Sequence, residues 1–275
     1  MGATPKRSGG AKAHPLITFS SDYGPTDEYV GVCHLVVAGV APGTRVIDLV
    51  HGIRGIRAGA TLLRQALPFA PSGIHLAIVD PGVGTERRAV VIATGNGALL
   101  VGPDNGLLAP AADALGGVMA AFELENPDYR LSPVSATFHG RDIFAPAAAH
   151  LSLGVTPESF GPAVDVDMLV RLSDPLVEVS EGRLVADVLR TDWYGNLQLA
   201  ARDTDLVEAK FHERVLVSGS AGSIEARVGL TFADAQPAGL VVYIDSGGHM
   251  AVARNGGSAR DLLGDPETVT ISPTE

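Results

Sequence analysis

The 275-residue sequence has a single cysteine, Cys33, so it can form no internal disulfide and no cysteine-rich metal site. His51, His75, His150, His212 and His249 share no metal-ligand spacing, and neither a metal nor a redox cofactor is expected. Long apolar runs are also missing. Segments such as Gly73–Val79 and Gly239–Ile244 fall far short of the ~20 residues that cross a bilayer, so no membrane association is expected. Basic residues are scarce, with 20 Lys and Arg against 31 Asp and Glu and a formal net charge of −11. That balance argues against a nucleic-acid partner, which needs clustered cations, and suits a neutral or cationic small substrate. No Gly-x-Gly-x-x-Gly follows a strand, and there is no Walker loop or Gly-x-Ser-x-Gly elbow. The Gly-rich stretch 81–85 lacks the lysine of a phosphate cradle, which argues against nucleoside triphosphate chemistry. Residues 1–14 lack the apolar centre of a signal peptide and are expected to form a loose tail.

What is present is a chain of 46% hydrophobic residues, rich in turns through 33 Gly and 18 Pro, and able to bury a sizeable core. Strand patterns at Leu16–Ser20, Val46–Val50 and Gly73–Val79 alternate with helical patterns at Glu28–Val40, Ala58–Leu67 and Phe144–Leu153. A hairpin is expected around Thr94-Gly95-Asn96-Gly97. The alternation predicts an α/β domain with a largely parallel, two-faced sheet over residues 15–160. Residues 161–178 read as a linker by composition. From 179 to 275 short strands dominate (184–189, 197–200, 214–218, 223–228, 240–244 and 250–254), which predicts a small β-barrel or sandwich.

Two strings offer reactive side chains where apolar runs meet turns: Val-Asp-Pro-Gly-Val-Gly-Thr-Glu-Arg-Arg at 79–88 and Thr-Phe-His-Gly-Arg-Asp at 137–142. They supply the carboxylate of Asp80, the guanidinium of Arg87 and the imidazole of His139. Taken singly, Asp80 fits a turn cap as well as a catalytic group, and His139 fits a core histidine as well. Arg141 and Asp142 read as a local ion pair, and Cys33 and His34 as packing on a helix. Asp22 and Asp27 flank a Gly-Pro turn after the first strand. A strand-end carboxylate there suits two vicinal ribose hydroxyls, but both residues suit helix capping equally well.

Six blocks in order, namely Thr18-Phe-Ser-Ser-Asp22-Tyr-Gly, Val79-Asp-Pro-Gly-Val-Gly-Thr, Gly102-Pro-Asp-Asn-Gly, Thr137-Phe-His-Gly-Arg-Asp, Asp192-Trp-Tyr-Gly-Asn196 and Ser246-Gly-Gly, resemble the S-adenosylmethionine hydrolase family, the SAM hydroxide adenosyltransferases. The resemblance spans residues 16–265 and extends to fluorinating and chlorinating enzymes, which carry Tyr where this chain has Asp80. It implies displacement at the ribose 5′ carbon of S-adenosyl-L-methionine by water, giving adenosine and L-methionine, with 5′-halogenation or silent nucleoside binding as alternatives. It implies Asp80, Arg87 and His139 as the catalytic set, and Asp22 as the ribose carboxylate. Asp27 and Asp192 would lie near the methionine portion, Tyr194 and Asn196 at the adenine, and Ser246 and Asn255 in the C-terminal binding block. Phe232 would stack on the purine. A cytoplasmic homotrimer is also implied, with active sites between the N-terminal domain of one subunit and the barrel of the next. The chain departs from the family in its ring-free loop 52–57 and in Ala251, where a Glu often stands.

Overall fold

The structure, a computed structural model, describes residues 14–274, so the tail expected over 1–14 lies outside the described residues except for His14. The chain divides into two units, one ending at Leu172 and the other starting at Ser173.

In the first unit the elements run β1 (Leu16–Ser21), α1 (Tyr29–Val40), β2 (Arg45–Val50), α2 (Ile56–Ala66), β3 (Ile74–Ile78), β4 (Ala89–Thr94), β5 (Leu99–Pro103), α3 (Ala109–Ala114), β6 (Val118–Glu123), α4 (Ala145–Ser152) and β7 (Ala163–Val164). They build one seven-stranded sheet in the order β2-β1-β3-β5-β4-β6-β7. The expected parallel sheet is its larger part, β2-β1-β3-β5. The hairpin at Thr94–Gly97 turns β4 antiparallel to β5, and β6 and β7 continue antiparallel from there. Part of the segment expected as linker thus belongs to this sheet, because β7 pairs with β6 through Ala121 and Val164.

Both sheet faces are buried, which is why the strands read as nearly continuous apolar runs. Ile74, Leu76 and Ile78 of β3 face α1 and α4, whereas Ala77 and Val79 face α2 and α3. Helix α1 turns Cys33 and Val37, four residues apart, to the core. Burial pushes the Cys33 thiol up to about 12, so it packs rather than reacts. Helix α2 ends as expected near Pro68, which sits inside a short 3₁₀ turn, Leu67–Phe69.

The second unit contains β8 (Val177–Ser180), β9 (Arg183–Thr191), β10 (Leu197–Arg202), α5 (Asp203–Ala209), β11 (Arg214–Gly219), β12 (Gly222–Val228), β13 (Leu240–Ile244), β14 (His249–Arg254), α6 (Ala259–Leu263) and β15 (Thr268–Pro273). Strands β10-β14-β13-β12-β11-β15-β9 follow one another, and β9 pairs back onto β10. The result is a closed seven-stranded barrel with β8 as an outer strand, so of the two expected β architectures the barrel is the one found. Leu184, Leu199, Val217, Val242, Val252 and Ile271 fill its interior. Closure leaves these strands no open edge in the ring.

Candidate active site

In the first unit the chemistry gathers at the C-terminal ends of β1 and β3, adjacent strands in register from Ile17–Ile74 to Ser21–Ile78. Asp22 follows β1, and its N–H donates to the carbonyl of Ile78 (2.9 Å). Asp80 follows β3, and its N–H donates to Asp22 Oδ2 (2.9 Å). The two carboxylates are therefore held side by side through backbone. Asp22 makes no cap for α1, whose first turn has no side-chain cap. Burial raises the pKa of Asp22, and the Asp80 charge adds to that rise, while the bond from the Asp80 N–H opposes it.

Arg87 Nε donates to both oxygens of Asp80 at 3.0 Å, and its Nη2 donates to Oδ2 at 2.5 Å. The same Nη2 lies 2.8 Å from His139 Nδ1. A guanidinium has only donors, so His139 Nδ1 must accept. The imidazole is thereby fixed as the neutral form with its proton on Nε2. Burial, followed by the Arg87 charge, lowers the His139 pKa and favours that form. Phe144 lies beneath the guanidinium, 5.1 Å from ring centre to Cζ. Neither the Asp80 nor the Arg87 side chain is more than 10% exposed.

Local sequence explains this convergence. Gly84 takes φ +79°, and a Cβ there would lie 2.5 Å from the Ala136 carbonyl oxygen, so the 80–88 loop packs tightly on the strand of chain leading to His139. The next residue, Arg88, points elsewhere and pairs with Asp104. Asn105 donates to the carbonyl of Val79 (2.9 Å) and so braces the strand end immediately before Asp80. His139 precedes one π-helical turn, Gly140–Phe144, which runs into α4. Arg141 and Asp142 form the expected local pair (2.6 Å).

Asp22, Asp27 and Asp80 line a cavity of about 280 Å³ together with Tyr23, Tyr29, Thr137 and Gly140. Sequence reasoning passed over Tyr23, whose ring contacts Phe138 edge-on at 5.8 Å. Its hydroxyl sits where a side chain at 140 would begin, 2.0 Å from an ideal Cβ. The glycine in the Phe-His-Gly string was the available signal.

The second unit holds a larger cavity of about 890 Å³. Asp192, Tyr194, Asn196, Phe232, Ser246 and Asn255 all line it, so every C-terminal residue singled out from sequence reaches one place. The turn between β9 and β10 is built by Asp192. Its Oδ1 accepts from the N–H groups of Tyr194 and Asn196 (both 2.9 Å), and its Oδ2 accepts from Asn196 Nδ2 (2.8 Å). Gly195 takes φ +82°, and a Cβ there would meet Ser258 Oγ at 2.1 Å. With its amide nitrogen engaged, Asn196 has its carbonyl oxygen left to accept. Asn255 Nδ2 is likewise spent, on the Ala235 carbonyl (2.8 Å). Phe232 meets Tyr243 edge-on at 5.3 Å, which adds a second ring to the wall. Arg190, Tyr243, Asp245 and Arg254 line the same cavity and were not anticipated; Ala251 is there too. Aromatic walls with a few fixed acceptors suit a purine. Among the described residues, no cluster of three or more His, Cys, Asp or Glu could hold a metal.

Residues 17–161 match the family model described as the SAM hydroxide adenosyltransferase N-terminal domain, and 186–268 match its C-terminal domain. The chain is 51% identical over 251 residues to a protein of Salinispora arenicola named (R)-S-adenosyl-L-methionine hydrolase, covering 90% of this chain and 94% of that one. A Thermus thermophilus protein of the same name is 43% identical over 265 residues, covering 93% and 98%. A protein of an Actinoplanes species named fluorinase is 28% identical over 277 residues, covering 89% and 92%. Among solved structures, an uncharacterized conserved protein from Thermotoga maritima superposes with a TM-score of 0.82 at 32% identity, covering 93% of this chain and 99% of that one.

Proposed function

Because the chain belongs to the SAM hydroxide adenosyltransferase family, we infer that it hydrolyses S-adenosyl-L-methionine to adenosine and L-methionine. The observation that carries the residue assignment is the Asp80–Arg87–His139 array, joined by bonds of 2.5–3.0 Å.

The sulfonium is a good leaving group, and the difficulty lies in the nucleophile. Water attacks the 5′ carbon in line with the departing sulfur. The carbon–sulfur bond breaks, its electron pair stays on sulfur as the thioether of methionine, and the water's second proton passes to Asp80 and on to solvent. Arg87 holds Asp80 in one orientation and stabilises hydroxide character. His139 fixes the far end of Arg87. Positioning of two reactants supplies roughly 7–11 kcal/mol in favourable cases, and a placed base typically contributes about 10²–10⁴-fold.

Asp22 accepts the ribose hydroxyls, and Asp27 and Asp192 face the methionine portion. Tyr194, Asn196 and Phe232 hold adenine, with Ser246 and Asn255 completing the binding block. The three carboxylates around the smaller cavity favour a cationic substrate and disfavour a halide. No metal or redox cofactor takes part in this scheme. The names of the 43–52% identical relatives support the (R) epimer at sulfur as substrate. The family resemblance supports a cytoplasmic homotrimer in which residues from neighbouring copies complete each site.

Incubation with each epimer, with and without high chloride, tests the reading. Adenosine and methionine from the (R) epimer in both conditions are expected. A 5′-chlorinated nucleoside formed at a comparable rate overturns the choice of water, and no turnover overturns the activity. Sedimentation velocity reads the assembly, where a monomer at micromolar concentration overturns the trimer.

A further inference from the structure

We propose that His51 and Ser21 are positioning residues for Asp22, acting through the hydrogen bond between their side chains behind the active-site loop; this deepens the reading above and rests on Asp22 as the ribose carboxylate. Strands β1 and β2 run parallel and end together, so the loops 22–24 and 51–53 leave the sheet side by side. Three contacts sew them. The Gly52 N–H donates to the Tyr23 carbonyl (2.8 Å), and the Ile53 N–H donates to the Ser21 carbonyl (3.1 Å). The third is between side chains, Ser21 Oγ to His51 Nδ1 at 2.7 Å.

The Tyr23 N–H also donates to Ser21 Oγ (3.3 Å), so one hydroxyl ties the backbone of residue 23 to the imidazole. His51 Nε2 lies 3.3 Å from Asp48 Oδ1 without forming a hydrogen bond, so the contact with Ser21 is the hydrogen bond that holds the ring. The Asp48 oxygen takes His34 Nε2 of α1 at 2.8 Å. The His51 ring also stands edge-on against Phe19 at 4.9 Å, which holds it upright. Ser21 is wholly buried, and His51 is mostly so. The Ser21–His51 bond therefore ties the residue following β2 to the single residue preceding Asp22. Asp22 in turn holds the Asp80 N–H, and so it transmits its own position to the catalytic loop.

The two ends of the imidazole separate by substitution. Asparagine places an amide near the Nδ1 position and keeps the Ser21 contact. Glutamine reaches the Nε2 position and loses the Ser21 contact. Loss of one net hydrogen bond predicts about a fivefold effect. Ser21→Ala and His51→Gln should each raise KM for S-adenosyl-L-methionine and weaken adenosine binding by about fivefold, with kcat falling alongside because Asp22 also holds the Asp80 N–H. His51→Asn should recover most of that loss. Asp22→Ala serves as the reference, and thermal melts check folding. Wild-type adenosine affinity in Ser21→Ala and His51→Gln, with affinity lost in Asp22→Ala, overturns the positioning role and leaves the ribose reading standing. Wild-type affinity in Asp22→Ala overturns the ribose reading and the positioning role with it. Equal losses in His51→Asn and His51→Gln overturn the Nδ1 assignment. If His51→Gln does not fold, Ser21→Ala, which removes one hydroxyl, decides alone.

Discussion

Asp80→Asn keeps the shape of the side chain and removes the charge proposed to accept the water's proton. It should lower kcat by about 10²–10⁴-fold while adenosine still binds, because the loss falls on the transition state rather than on the bound substrate. Arg87→Lys retains a positive charge but not the fork that spans both Asp80 oxygens and His139, so activity should not return to wild type. Retained wild-type kcat in Asp80→Asn, measured as adenosine release, would reduce the carboxylate to a turn cap. His139 gives a pH prediction. Its ordinary value near 6.5 is lowered by burial and by Arg87, so the ring is neutral at pH 7. Protonation at acid pH removes the acceptor that Arg87 Nη2 uses. Turnover should therefore fall on the acid side, below pH ~6.5, and the kcat profile of His139→Ala should lose that inflection.

At the scale of elements, the π-helical turn Gly140–Phe144 and the loop after β1 share one small volume. A methyl or hydroxymethyl at 140 would start 2.0 Å from Tyr23 Oη and 3.3 Å from Ile78 Cδ1. Gly140→Ala should cost about 1–3 kcal/mol and depress turnover. Adding Tyr23→Ala should relieve part of that cost, giving strongly non-additive urea midpoints. In the barrel, β15 stands between β11 and β9 and so completes the ring. Its Ile271 is fully buried, and Ile271→Ala should destabilise by about 2–5 kcal/mol in chemical denaturation. This strand was legible in principle, since Val269 and Ile271 alternate with Thr268, Thr270 and Ser272. The strands β1 and β3 were easier, being short, mostly apolar runs buried on both faces. The strand β6 was hard to see because it is mostly half-exposed, with Met119 turned to solvent. Helices α3 and α5 are only six and seven residues long, too short for a clear period. Among site residues, those carrying charge at motif positions could be picked out. Tyr243 and Arg190 could not, because nothing in their local spacing separates a cavity wall from ordinary packing.

For the whole molecule, acid stability follows from histidines folded in the neutral state. His75 is buried in the sheet, bonded to Thr18 (2.9 Å), and burial lowers its pKa to about 4. Between pH 4 and about 6.5 the unfolded chain binds the proton that the folded chain refuses, so stability rises with pH across that window and levels off above it. Acidification from pH 6.5 to 4 should remove roughly 3 kcal/mol through this one ring. The shifts at His139 and His150 act in the same direction. Urea midpoints against pH check this, and His75→Gln should flatten the slope. The bond from the Asp80 N–H to Asp22 Oδ2 also constrains how such a protein can change. The group proposed to grip the sugar and the group proposed to activate water hang from one shared peptide. A variant that widens the grip to admit an altered sugar also swings the base, so selectivity and speed move together. Laboratory selection for a new nucleoside should accordingly stall at slow enzymes until a second change, in the 80–88 loop, restores the aim of Asp80.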